Sequence, residues 1–296
     1  MSEFVTANWK GNFVTCDVIC PDDLKLLRKR PFVLLVAVDA PITVRFQRLK
    51  QRLLASGASP VPSLEDFLLH HDQERYHAGV NLAETEVQTV ESYSVPLYKR
   101  MATADVYVVN SYVTIEAYYA YLDKVHLTNP ERLRPAWDTY FMLLSELASH
   151  RSNCMKRRVG CILTKDNRVI ATGYNGTPRG ISNCADGGCP RCNSGAHCGE
   201  GLDFCLCLHA EENALLEAGR VRVEGVGRTI LYCNTCPCLG CAKKIAQVGV
   251  QEVVYSQAYG MDKLTAALFQ EAGVLLRQHT PPTLKLDIQG DVNIFM

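Results

Sequence analysis

The sequence lacks any surplus of charge. Its 31 Lys and Arg are matched by 31 Asp and Glu. The balance also holds locally: residues 1–130 carry 13 basic and 15 acidic side chains, and residues 131–296 carry 18 and 16. A protein that binds nucleic acid or lies on an acidic membrane normally shows a basic stripe, so neither partner is expected. Long hydrophobic runs are missing too. The longest purely apolar stretch, residues 32–38, falls far short of the roughly 20 residues that cross a bilayer. The first residues show no charged start followed by an apolar core, so no secretory signal is expected, and a cytoplasmic location is, with the nucleus also open. No G-x-x-x-x-G-K-[ST] occurs anywhere, which removes the backbone cradle and lysine with which a P-loop holds phosphates. Internal repeats and long low-complexity segments are also absent.

Cysteine is what the chain has in quantity. There are 14, and 12 of them lie between Cys154 and Cys241. In a reducing compartment such a number does not suggest a disulfide scaffold, and clustering of this kind points to metal. The length of 296 residues allows two ordinary domains or one large one.

The chain divides near residues 130–135, giving domains 1–130 and 131–296. In the first, residues 31–39 and 105–110 read as short buried strands, and residues 41–54 and 114–125 as the helices that follow them, a small α/β unit. In the second, residues 136–149 read as a helix with Tyr140, Leu143, Leu144 and Leu147 on its apolar face. Residues 159–164 and 168–173 form a hairpin across Lys165, Asp166 and Asn167. Next come a helix over 209–219 stopped by Gly219, a strand over 228–233 and a helix over 238–248. A strand over 252–255, a helix over 262–272 and a strand over 274–277 complete the pattern.

Two short pieces carry the chemistry: His209-Ala210-Glu211 and Pro237-Cys238-Leu239-Gly240-Cys241. Each opens an expected helix. Cys238 and Cys241 can present two sulfurs to one ion, and His209 can add a nitrogen. Three such ligands leave the fourth position of a tetrahedral zinc open, which is how catalytic sites differ from closed structural ones. Zinc there acidifies a water, and the two helix N-termini favour thiolate. Glu211 is close enough to exchange protons with that water and a substrate without ligating the metal. H-x-E with P-C-x-x-C is the general signature of zinc nucleobase deaminases. A closed four-cysteine site that uses Cys236 is the main rival.

A second group fills residues 183–207: Cys184, Cys189, Cys192, Cys198, Cys205 and Cys207, with His197. A loop this long has little apolar material of its own, and ligation is one way to order it. One structural zinc, free thiols, or two further ions are all compatible with the sequence.

From about residue 130 onward, the chain resembles the deoxycytidylate (dCMP) deaminase branch of the cytidine-deaminase superfamily, in its fungal form. The resemblance rests on Arg151-Ser152-Asn153-Cys154, Val159-Gly160-Cys161, Gly173-Tyr174-Asn175-Gly176-Thr177-Pro178, His209-Ala210-Glu211-Glu212-Asn213-Ala214 and Pro237-Cys238-Leu239-Gly240-Cys241-Ala242-Lys243. It implies a three-layer α/β/α sandwich around a mixed sheet, catalytic zinc on His209, Cys238 and Cys241, and Glu211 as proton shuttle. Asn175 would bind deoxyribose or the base edge, the Ala210 amide the pyrimidine carbonyl, and the Cys236 carbonyl the amino group. A second zinc would draw on Cys154, Cys184 and Cys207, with a fourth ligand from His197 or Cys198. The resemblance further implies deamination of dCMP to dUMP in dTTP-precursor metabolism, a homo-oligomer, activation by dCTP, inhibition by dTTP, and Mg2+ accompanying those effectors. Arg220 and the run Lys156-Arg157-Arg158 are candidates for phosphate contacts, and a solvated charged face explains them equally well. Residues 1–130 resemble the later half of a P-loop kinase fold without its P-loop, so no kinase activity is expected. A transfer-RNA adenosine deaminase and a non-catalytic zinc-stabilised regulatory protein are the alternatives.

Overall fold

A computed structural model describes residues 2–16, 21–57, 60–76, 96–197, 199–258 and 262–282. They fall in two units, one within Met1–Arg134 and the other Pro135–Pro282. No described helix is long and apolar enough to cross a membrane.

The first unit runs α1 (Ser2–Ala7), α2 (Pro21–Arg28), β1 (Val36–Asp39), α3 (Ile42–Ala55), α4 (Leu64–Tyr76), α5 (Leu97–Ala102), β2 (Val106–Val109) and α6 (Ile115–Val125). β1 and β2 pair in parallel, from Val36 opposite Val106 to Asp39 opposite Val109. Val106 and Val108 are fully buried, and Leu34, Tyr118, Tyr121 and Leu122 pack over them. The strand expected from residue 31 begins only at Val36, because a strand lasts only as long as its partner, and β2 starts at Val106. Thr114 caps α6 by accepting the Ala117 N–H at 3.3 Å.

The second unit runs α7 (Trp137–Ser149), β3 (Gly160–Lys165), β4 (Arg168–Tyr174), α8 (Pro190–Asn193), α9 (Ala210–Val223), β5 (Thr229–Thr235), α10 (Leu239–Gln247), β6 (Glu252–Gln257), α11 (Asp262–Glu271) and β7 (Leu275–Gln278). Its sheet has the order β4-β3-β5-β6-β7. β3 is antiparallel to both neighbours, and β5, β6 and β7 are mutually parallel, so the sheet is mixed as expected. Asp166 and Asn167 take left-handed backbone angles (φ 48° and 59°), making the two-residue turn that suits the twist of the β3–β4 hairpin.

The alternation of side chains along the strands creates the layers. Ile162, Ile230, Tyr232 and Val254 face Phe141 and Met142 of α7. Cys161, Leu163, Leu231, Cys233 and Val253 face the other way, toward Ala210 and Ala214 of α9, Ile245 of α10 and Phe269 of α11. The result is the three-layer α/β/α arrangement.

The apolar face expected for α7 needs correction. Tyr140 and Leu147 are exposed, whereas Thr139, Phe141, Met142, Ser145 and Ser149 are buried. The reason is a close approach. A Cβ at Gly160 of β3 would lie 1.9 Å from the Ser145 carbonyl oxygen and 2.4 Å from the Ser149 nitrogen. Only small side chains fit so near the sheet, and both serine hydroxyls donate back into the helix, to Met142 and Glu146 carbonyls at 2.7 Å. α9 also differs from expectation. Gly219 adopts φ 63° and ψ 157°, which breaks the helix, but the chain resumes for another turn and buries Val223.

Candidate metal centre and active site

His209 is the N-cap of α9, and Cys238 is the N-cap of α10, just past the C-terminal end of β5. The sheet places these two helix starts side by side. His209 Nδ1 lies 3.4 Å from Cys238 Sγ and 3.3 Å from Cys241 Sγ. A tetrahedral zinc with ordinary Zn–N and Zn–S bonds requires N···S separations of about 3.5 Å, so this donor set fits the ion. Nδ1, facing both sulfurs, is the ring nitrogen in position to ligate. Cys241 is buried, Cys238 partly so, and His209 opens to solvent.

The trio holds a thiolate beside a protonated imidazole, so a metal ion bound here would displace the imidazole proton. A hydrogen bond from the Cys241 thiol and the nearby imidazole pull Cys238 down to about 3, despite its burial. The same hydrogen bond, together with burial, pushes Cys241 well up. Contact with Cys238 raises His209 to about 9. The group therefore stores negative charge at Cys238 beside a helix N-terminus, where the dipole favours it.

Glu211, in the first turn of α9, is only 4% exposed. Burial raises its carboxyl above the ordinary value, with His209 pulling the other way. A carboxyl that is easy to protonate beside a ligand set with an open position is placed for proton transfer.

Three positioning contacts went unread in the sequence. A Cβ at Gly173 would lie 2.1 Å from the Ala210 carbonyl oxygen, so only glycine lets β4 meet the start of α9 this closely. Asn213 donates to the Tyr174 carbonyl at 3.1 Å and holds the same junction. The fully buried Thr265 donates from α11 to the Pro237 carbonyl at 2.9 Å and pins the loop that carries Cys238. Gly173 and Asn213 belong to motifs quoted above. Thr265 has no local signal, since its partner is 28 residues away.

Paired backbone bonds between Gly176 and Leu208 (2.8 and 3.2 Å) join the residue after Asn175 to the one before His209. Asn175 Oδ1 accepts from Ser152 Oγ at 2.7 Å and from the Val159 N–H at 2.8 Å, and its Nδ2 donates to the Arg157 carbonyl at 2.7 Å. Among the described residues, the second N–H of this amide has no partner. Ala210 is completely buried as the first residue of α9, and Cys236, also buried, donates its N–H to the Gln257 carbonyl at 2.9 Å.

Arg220 is not brought to this site within the chain. It pairs with Glu224 on the exposed side of α9, eleven residues beyond His209 and past the break at Gly219. In the expected basic run, Arg157 donates to Gln257 at 3.2 Å and Lys156 to the Ala196 carbonyl.

The second cysteine group gathers into two overlapping sets: Cys154, Cys184, Cys192 and Cys207, and Cys189, Cys192, Cys205 and Cys207. His197, expected among the ligands, is in neither; its backbone N–H donates instead to Glu200 at 2.9 Å. Cys192 stands where His197 or Cys198 was expected, and Cys198 lies outside the described residues. Cys161 and Cys233 are paired across β3 and β5 and fully buried, so these two serve packing.

Residues 135–257 match the family model described as the cytidine and deoxycytidylate deaminase zinc-binding region. The deoxycytidylate deaminase of Schizosaccharomyces pombe is 49% identical over 285 residues, covering 94% of this chain and 80% of that protein. That of Saccharomyces cerevisiae is 43% identical over 280 residues, covering 93% of this chain and 84% of its own length. A crystal structure of dCMP deaminase from the cyanophage S-TIM5, in complex with dCMP and dUMP, is 29% identical and covers 57% of this chain and 100% of that one, at a TM-score of 0.37. The two yeast proteins match both units, not the zinc-binding region alone.

Proposed function

The chain belongs to the deoxycytidylate deaminase family, and from that premise we propose that it hydrolyses dCMP to dUMP and ammonia. The observation that carries this reading is the trio of His209, Cys238 and Cys241 at zinc-ligand spacing, with the buried carboxyl of Glu211 two residues from the histidine.

Zinc, when bound by that trio, supplies Lewis acidity at the open position. The chain's own groups do the rest. Glu211 takes a proton from the attacking water, gives it to the ring nitrogen, and then passes the second to the departing amine. Water adds its oxygen to the amino-bearing carbon, and the carbon–nitrogen bond breaks to release ammonia. The Ala210 N–H, at a helix N-terminus with its positive dipole end, holds the pyrimidine carbonyl. The Cys236 carbonyl accepts from the amino group, and the remaining N–H of Asn175 reaches the deoxyribose or base edge.

The finer reading extends the family resemblance. The enzyme works as a cytoplasmic homo-oligomer in dTTP-precursor metabolism, with dCTP as activator and dTTP as inhibitor, accompanied by Mg2+. Arg220 serves phosphate recognition in that assembly. Cys154, Cys184 and Cys207 hold a structural zinc, with Cys192 as the fourth sulfur. The first unit is a kinase-like remnant without phosphate transfer.

The test is ammonia release from dCMP, cytidine and deoxycytidine, each with and without dCTP or dTTP. Turnover of dCMP is expected. Its absence, with zinc bound, overturns the reading, and activity only on transfer-RNA adenosine would replace it.

A further inference from the structure

Six sulfurs in the second unit meet at spacings that one ion cannot use up. Cys192 Sγ lies 3.8 Å from Cys154 Sγ, 3.9 Å from Cys207 Sγ and 4.0 Å from Cys205 Sγ, and Cys189 Sγ lies 3.9 Å from Cys205 Sγ. Two sulfurs on one tetrahedral zinc stand about 3.8 Å apart, so each separation is a ligand edge. The two four-cysteine sets share Cys192 and Cys207. An ion in only one set would leave two thiols of the other at the same spacing without a metal.

Backbone N–H groups reach three of the four unshared sulfurs. Cys184 accepts the Met155 N–H at 3.4 Å, and Cys189 accepts the Leu206 N–H at 3.3 Å. Cys154 accepts from the backbone of Lys156 and Arg157, and Cys205 faces the Arg191 guanidinium at 3.8 Å. No backbone N–H among the described contacts reaches the sulfur of Cys192, Cys205 or Cys207, and the Arg191 guanidinium contacts Cys192 as well as Cys205. Arg191 is itself buried at 8% exposure, with no carboxylate in salt-bridge reach among the described residues. A buried guanidinium needs an anion, and six thiolates around two zinc ions leave a net charge of two negative.

We propose that this loop holds a binuclear zinc cluster: one ion on Cys154, Cys184, Cys192 and Cys207, the other on Cys189, Cys192, Cys205 and Cys207, with Cys192 and Cys207 bridging. The cluster ties together three chain segments. One contains Cys154, two residues from the Ser152 that orients Asn175; another ends at Cys207, two residues before His209. Long-loop cross-links of this kind stabilise most where the loop has little core of its own. With the separate trio, the chain then carries three zinc ions.

Native mass spectrometry of the zinc-loaded full chain tests this. The unaltered protein is expected to hold three ions, the double variant Cys238→Ser/Cys241→Ser two, and Cys189→Ser/Cys205→Ser two. His197→Ala and Cys198→Ser keep three. A count of two in the unaltered protein, or loss of an ion with either of the last two variants, overturns the proposal. Should Cys189→Ser/Cys205→Ser fail to fold, cadmium-113 spectra of the unaltered chain decide. Two all-sulfur resonances coupled to one another through shared ligands are expected, and a single all-sulfur resonance overturns the cluster. Neither readout needs turnover, so a chain with three ions that releases no ammonia from dCMP would sink the functional reading alone.

Discussion

The two units are built from similar elements and hold their charges differently. In the first, a two-stranded sheet carries one carboxylate knot at its edge. Asp39 accepts from Arg75 at 2.8 Å and from the Tyr107 hydroxyl at 2.6 Å. In the second, a five-stranded sheet supports a structural knot of its own. Arg277 donates to Asp138 at 2.9 and 3.2 Å and to the buried Glu252 at 2.6 Å. Among the described residues, only those of the second unit include a buried carboxyl beside a metal-ligand trio. The difference shows why a perturbed carboxyl alone does not mark an active site: Asp39 is satisfied by Arg75, Tyr107 and the Ala40 N–H, whereas Glu211 is buried two residues from a histidine of the ligand trio.

The comparison is sharpest in its largest expected effect. Glu211→Gln keeps the shape of the site and removes the proton carrier, so turnover of dCMP is expected to fall at least about a hundredfold, with zinc content unchanged. Near-normal turnover would place Glu211 with Asp39 as a structural group.

Asp39→Asn should do the opposite. Burial alone would raise the Asp39 carboxyl, but the bonds from Tyr107 and Arg75 outweigh it and hold the group below its ordinary 3.8. The ionised form is therefore bound better by the folded unit. Its stabilisation is present above pH 4 or so and is lost as the pH falls through the lowered folded value. At pH 7 the variant is expected to lose about 1.5–3 kcal/mol, the range for hydrogen bonds to a charged group, with dCMP turnover unchanged. Hydrogen exchange of the β1 and β2 peptides, compared at matched pH, should show the gap between variant and unaltered protein closing in acid. A gap that persists in acid would mean that charge is not what the contact contributes.

The smallest effect is a matched pair. Thr114→Ala and Thr265→Val each remove one side-chain hydrogen bond, and each is expected to cost about 1 kcal/mol of stability. The first uncaps α6 and should leave turnover alone. The second frees the Pro237 carbonyl beside Cys238, so a several-fold drop in turnover is expected. Equal turnover in both variants would show that the pin from α11 does not position the metal ligands.

The site was more legible than the fold around it. His209, Glu211, Cys238 and Cys241 are readable because metal ligands must be particular residue types and because helix starts fix their local spacing. α9 and α10 could be placed from the same motifs. α1, α2, α4 and α5 were not foreseen. α4 buries no residue and has no apolar face, so periodicity offered nothing to detect. The misread face of α7 has a different cause. Its leucines are the most hydrophobic residues available, but the Gly160 approach selects Ser145 and Ser149, a choice made by the neighbouring strand.

By itself, the sequence determined the chemistry: which side chains can ligate zinc, which carboxyl stands beside them, and which partners a chain of zero net charge disfavours. These are properties of residue type and of spacing within a few residues. Only the tertiary structure decided which sulfurs meet. Cys154 and Cys192 are 38 positions apart and end 3.8 Å from one another, while His197, far nearer in the chain, joins neither set. Ligation acts over a few ångströms whatever the sequence separation, so the cysteine count announced metal and the fold had to divide it.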